Sequence, residues 1–144
     1  FLPDVQFQVI SIEQQYPGHS TQAATAAISL PAGSRMGRFT VVVDDDIDAY
    51  DRDEVMWAMV TRCDPAEDLR IVEDCVSTQI DPIMPPEKKQ SGDLTNSRVI
   101  LDATVPYHRI EAFPEDTLID PEFEAVLREE YAQQVFDRSE TESP

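Results

Sequence analysis

Basic side chains are scarce in this chain: 11 lysines and arginines stand against 29 aspartates and glutamates in 144 residues, a net charge of −18. Its longest basic cluster is the isolated pair Lys88-Lys89. So acidic a surface repels phosphate backbones and anionic lipid, which argues against nucleic acid and membrane surfaces as partners. Glycine is also rare, at four residues, and no GxSxG, GxGxxG or Walker loop is present. Acyl transfer, dinucleotide binding and nucleotide hydrolysis therefore lose their usual sequence support. The two cysteines, Cys63 and Cys75, form no CxxC pair and have no histidine companion at metal spacing. Reduced thiols in a cytoplasmic protein are the expectation. No apolar run approaches the roughly 18 residues a membrane helix needs, and the N-terminus lacks a basic-then-apolar signal pattern.

What is present suffices for a core. At 144 residues with 41% apolar content, the chain fits one domain, expected over 1–138 with a frayed tail at 139–144. Val5 to Val9 alternates apolar and polar, and Ile10 and Ile12 continue on the other parity, which predicts a strand over 5–13. Pro17-Gly18 stops it, and Ser20 or Thr21 is placed to cap a helix carrying Ala23, Ala24, Ala27 and Ile28 as a small apolar stripe. Phe39 to Val43 reads as a central strand. Asp51 with Glu54 forms a capping-box variant opening a helix over 52–62, which Asp64-Pro65 closes. Val55, Met56, Trp57, Ala58, Met59 and Val60 leave that helix no polar face, so it is expected to be enclosed or covered by another domain or subunit. Strands over Leu69–Val72 and Val99–Leu101 flank an expected exposed loop from Asp81 to Asn96, and Tyr107 to Ile119 reads as irregular. Asp120-Pro121 opens a terminal helix with Phe123, Val126, Leu127, Tyr131 and Val135 on one face. The alternation predicts an α/β layered domain, a mixed β-sheet flanked by helices.

The candidates for chemistry are few. Asp44, Asp45, Asp46 and Asp48 follow a buried strand, where carboxylates can bind Mg²⁺ or, more plainly, satisfy turn amides and the next helix N-terminus. A receiver-type phosphotransfer domain would need a lysine on a later strand end, whereas Lys88 and Lys89 lie in a Pro-rich segment. His19, at a strand-to-helix turn, is either an acid, base or ligand or a turn histidine bonded to backbone. His108, beside Tyr107 and Arg109, has the plainer reading of a loop residue.

Three blocks in order carry a family resemblance: VISIEQQYPGHSTQAATAA over Val9–Ala27, VVVDDDIDAYDRDEVMWAMVTRCDPAED over Val41–Asp68, and SRVILDATVP over Ser97–Pro106. The chain resembles the C-terminal domain of UbiD-type decarboxylases, with Ser20 where the family's YPGHA unit has Ala. The resemblance implies a prenylated flavin (prenylated FMN) with Mn²⁺ and K⁺ and a Glu-Arg-Glu network, all held by an upstream flavin-binding domain, with no catalytic, cofactor or metal residue on this chain. It implies a substrate-capping and oligomerisation role on an aromatic or α,β-unsaturated acid, with homo-oligomer formation. By that resemblance Val55, Met56 and Met59 are the expected wall of the substrate pocket, the alternative being ordinary core. Trp57 is expected to be an interface or core anchor. A non-catalytic self-association module is the rival reading. The opening Phe1-Leu2-Pro3 marks the chain as an expected fragment.

Overall fold

The computed structural model describes residues 6–30, 35 and 37–113. In chain order they form β1 (Phe7–Ile12), α1 (His19–Ser29), β2 (Phe39–Asp44), α2 (Arg52–Arg62), β3 (Leu69–Val76), α3 (Pro86–Ser91), β4 (Thr95–Ala103) and a 3₁₀ turn at Tyr107–Ala112. The sheet order is β1-β2-β4-β3. Strands β1, β2 and β4 run parallel, and β3 is antiparallel to β4. The result is the α/β architecture with a mixed sheet that the alternation of elements predicted. Contacts divide the chain into one unit at Phe1–Ala112 and another at Phe113–Pro144. The expected stripe Phe123, Val126, Leu127, Tyr131 and Val135 and the tail at 139–144 lie outside the described residues.

The continuous β-branched run explains the layering. Val41, Val42 and Val43 are each 0% exposed because successive side chains point to opposite faces and both faces are covered. Val41 and Val43 pack with Ile47, Val55, Ala58 and Ala103 under α2. Val42 packs with Ala24, Ile28 and Ile100 under α1. Burying each valine contributes about 1.5–3 kcal/mol before entropy is counted. Ala24 and Ala58 supply the small contacts that let each helix lie close to the sheet.

Several boundaries differ from expectation. Helix α1 is not capped by Ser20 or Thr21: Gly18, at φ 85°, occupies the N-cap position without a side-chain cap. Its left-handed backbone favours glycine. Ser20 is instead buried and donates to the Asp102 carboxylate. Strands β3 and β4 are longer than their apolar runs, and pairing breaks between Val72 and Cys75, where Asp74 has φ 56°. The segment after β3 is not simply an exposed loop, since it holds α3 and two buried residues, Asp81 and Met84. Asp81 is 0% exposed and accepts from Arg38, from Ser77 Oγ at 2.7 Å, from Asn96 Nδ2 at 2.7 Å and from the Ile83 amide at 3.1 Å. A polar node therefore anchors this excursion to the start of β2, which apolar periodicity does not report. Among the described residues no helix is long and apolar enough to cross a membrane.

Candidate functional site

Strand β1 forms one edge of the sheet, and its residues Phe7, Val9 and Ser11, at i, i+2 and i+4, share the face that α2 only partly covers. Between that face and α2 lies an open groove of about 920 Å³, lined by Phe7, Gln8, Val9 and Ser11 on the strand side and by Val55, Met56 and Met59 on the helix side. The turn before α2 adds Ala49, Tyr50 and Arg52. This volume is at the upper end of the roughly 300–1,000 Å³ typical of small-molecule pockets. Its lining is mainly apolar, with polarity confined to a few side chains.

The helix wall is fixed at both ends. Asp51 accepts from the amides of Asp53 at 2.8 Å and Glu54 at 3.3 Å. Glu54 reaches back to the amide of Asp48 at 2.8 Å, so the reciprocal bond goes three residues beyond the cap that the capping-box pattern predicts. At the other end Arg62 is buried, bonded to Asp46 at 2.6 and 2.9 Å and to Asp44 at 3.2 Å. Its guanidinium also lies over the Trp57 ring at 5.1 Å. A cation in the last turn further complements the helix dipole. Trp57 is thus tied to its own helix while 36% exposed.

Asp44 at the end of β2, and Asp46 and Asp48 after it, are engaged by the protein itself. Asp44 accepts from the Val105 amide at 2.6 Å and from Gln14 at 2.7 Å. Burial pushes the Asp44 carboxyl up from the usual range, against the pull of these donors. The Arg62 guanidinium holds the Asp46 carboxyl below it. Asp48 accepts from the Tyr50 amide at 2.9 Å. The Asp48 contact satisfies a turn amide, as one of the two sequence readings has it, whereas Asp44 and Asp46 meet Val105, Gln14 and Arg62, for which the local pattern held no signal. His19 stacks on Tyr16 with centroids 4.7 Å apart, and its Nδ1 accepts from the Gln15 amide at 3.3 Å. That is the turn-histidine arrangement. His108 is exposed in the 3₁₀ turn.

Val55, Met56 and Met59 come together along the groove but differ in depth. Val55 is 4% exposed and belongs to the core cluster, Met59 is half-buried against it, and Met56 is 56% exposed. Sequence reasoning missed the strand side of the groove, although the period-2 pattern of β1 already put Phe7, Val9 and Ser11 on one face. The described residues do not fit a prenylated flavin or its ions. No group of three or more His, Cys, Asp or Glu side chains among them could hold a metal. The groove offers a flavin phosphate a single cation, Arg52, which already has another interaction.

Residues 4–103 match the family of 3-octaprenyl-4-hydroxybenzoate carboxy-lyase C-terminal domains. The chain is 32% identical over 127 residues to a phenolic acid decarboxylase of Sedimentibacter hydroxybenzoicus, covering 84% of this chain and 25% of the relative. Its fold is similar to the closed form of the vanillic acid decarboxylase from the same organism, with a TM-score of 0.64, 31% identity and coverage of 84% and 25%. It is equally similar to the UbiD-class enzyme HmfF of Pelotomaculum thermopropionicum in complex with FMN, with a TM-score of 0.64, 31% identity and coverage of 85% and 25%. The vanillic acid decarboxylase is also known in an open form, matched at 29% identity with a TM-score of 0.64. The chain thus spans about a quarter of the length of these relatives.

Proposed function

The chain belongs to the UbiD family of carboxy-lyases as its C-terminal domain, and from that premise we propose that it is the substrate-capping domain of a decarboxylase acting on an aromatic or α,β-unsaturated acid. The carrying observation is the groove, whose apolar lining and volume suit an aryl ring. In this reading Val55, Met56 and Met59 form one wall of the pocket, and the upstream domain supplies the prenylated flavin, its metal ions and the reacting groups. A relative recorded in open and closed forms supports closure of the domain over that partner. When held by the upstream domain the flavin would supply the electron-sink chemistry, while this domain orients the ring and excludes water. Methionine suits such a wall because its unbranched, polarisable side chain adapts to varied ring substituents.

The reading is tested in the full-length enzyme that carries this domain. Met59→His or Met56→His is expected to change the ranking of kcat/KM between apolar and polar aryl acids more than it lowers the thermal midpoint. A pocket contact acts through specificity, whereas a histidine in closed core buries an unpaired polar group at about 1–3 kcal/mol. A fallen midpoint with an unchanged ranking overturns the assignment.

One observation favours a second role, self-association. The row Phe7, Phe39, Val99, Ile71 crosses all four strands in register on the α2 side of the sheet. Phe7, Phe39 and Ile71 are 41%, 43% and 64% exposed. An apolar stripe of that kind on a sheet face is suited to burial against another surface.

A further inference from the structure

Helix α2 has no polar face in its middle turns, and its outer side is uncovered. Val60 is 71% exposed, and exposed Met56 and Trp57 precede it by four and three residues, so the three form one apolar ridge. Tyr50, 97% exposed in the turn before the helix, shares the lining of the groove with Met56. That exposure does not come from a slack chain: the Asp48 side chain accepts from the Tyr50 amide and the Asp48 carbonyl from the Asp51 amide, each at 2.9 Å. The ridge thus continues from the lip of the groove, while Trp57 and Val60 lie outside the groove itself.

The charge around the ridge is of one sign. Residues 45–68 hold nine carboxylates and two arginines, and one of the arginines, Arg62, is buried and bonded to Asp44 and Asp46. Asp53 is exposed one turn before Met56 and Trp57. Two copies of this face brought together would set like charges within the roughly 8 Å over which salt screens them poorly. A surface with an apolar centre and a lysine or arginine rim meets no such cost, and complementary charge of that kind fixes the register of a contact. We propose that the ridge seats this domain in its closed position, against an apolar patch rimmed by basic side chains on the upstream flavin-binding domain. This rests on the capping reading: a body that closes the groove at Met56 and Tyr50 meets Val60 and Trp57 along the same helix. Aromatic side chains and methionine are favoured at the centre of such contacts. Trp57 is already held by the Arg62 guanidinium 5.1 Å from its ring, so docking orders it at little further entropic cost.

The experiment uses the full-length enzyme and the variants Val60→Gln, Val60→Ile and Asp53→Lys. It measures kcat/KM on apolar and polar aryl acids, the thermal midpoint, and the radius of gyration by X-ray scattering with acid bound. Val60→Gln is expected to lower kcat/KM roughly 5- to 10-fold for every acid alike, because the closed state is less populated while the groove is untouched. Its radius of gyration should exceed the parent's at an unchanged midpoint. Val60→Ile, which keeps the apolar contact, is expected to retain the parent's values. Asp53→Lys is expected to lose activity as Val60→Gln does, by setting a cation against cations. If Val60→Gln leaves kcat/KM within about twofold and the radius unchanged, the ridge assignment is overturned, while a changed acid ranking for Met59→His leaves the capping reading standing. If Met59→His changes no ranking either, the capping reading falls and the proposal with it. A Val60→Gln enzyme of lower oligomeric mass and unchanged radius per protomer would assign the ridge to contact between copies, and an unchanged or raised kcat/KM for Asp53→Lys would exclude a basic partner surface; either overturns the proposal. A lowered midpoint for Val60→Gln without a change in radius assigns the ridge a structural role and likewise overturns it.

Discussion

Asp81 is 0% exposed and faces the guanidinium of Arg38, so removing its charge leaves a half-enclosed cation with no carboxylate. Breaking a buried pair by removing one partner costs about 3 kcal/mol or more. For a chain of this size, Asp81→Asn is expected to lower the thermal midpoint by roughly 10 °C at neutral pH. The bonds to Arg38, Ser77 and Ile83 overcome the opposing effect of burial and hold the carboxyl down at about 2, against an ordinary 3.8. A depressed carboxyl stabilises the fold above its unfolded value and loses that contribution as pH falls from about 4 through about 2. The difference in midpoint between the parent and Asp81→Asn should therefore be constant near neutrality and narrow below pH 4. A difference that persists at pH 2 would mean that shape, not charge, is at stake. Asp44 runs the other way: burial raises it, so its carboxyl resists ionisation and contributes nothing to the acid-side loss.

At the scale of the element, α2 is a rod pinned at both ends and closely seated in the middle. Asp51 and Glu54 hold its start, Arg62 holds its end, and Ala58 at 0% exposure sets its distance from Val41, Val43 and Ala103. Ala58→Leu inserts methylene groups where nothing can yield, and overpacking costs about 1–3 kcal/mol. The helix is expected to lift and the groove beside it to change shape. Calorimetry should show the lower midpoint, and in the full-length enzyme KM for aryl acids should rise more than the loss of stability explains. An unchanged midpoint would show that the interface has slack. The same element explains why Val55, Met56 and Met59 share a site at such different depths: the first two differ by 100° around the helix axis, so one turns to the sheet and the other to the rim.

The whole molecule combines a heavily acidic surface with an exposed apolar row, and the two have opposite effects on association. At physiological salt, charges beyond about 8 Å are screened, so contact between apolar rows should win. Light scattering is expected to give a mass above the monomer that rises with concentration, and Phe39→Glu is expected to lower it without lowering the midpoint. A clean monomer at high concentration would remove self-association. The purified chain is expected to fold yet release no CO₂ from a panel of aryl acids supplied with prenylated flavin. Turnover by this chain alone would overturn the capping role.

The sequence by itself determined the layers and the helix that carries the candidate wall. The valine run of β2 could only be a strand covered on both faces, and Asp51 with the apolar run after it marked α2 at the bounds observed. The three blocks were enough to identify the family. Local pattern could not show which polar residues meet across the sheet, because those meetings depend on strand order and not on spacing. Arg62 reaches Asp44 and Asp46 across 18 and 16 residues, Gln14 reaches Asp44 across 30, and Arg38 reaches Asp81 across 43. Ser20, readable as a cap, is buried and was drawn instead to Asp102, 82 residues away, because a charged carboxylate makes a stronger hydrogen bond to a hydroxyl than a neutral helix amide does. The groove is likewise a product of tertiary structure: only the placement of β1 at the sheet edge, where α2 covers its face in part, leaves Phe7, Val9 and Ser11 lining an open groove with the methionines.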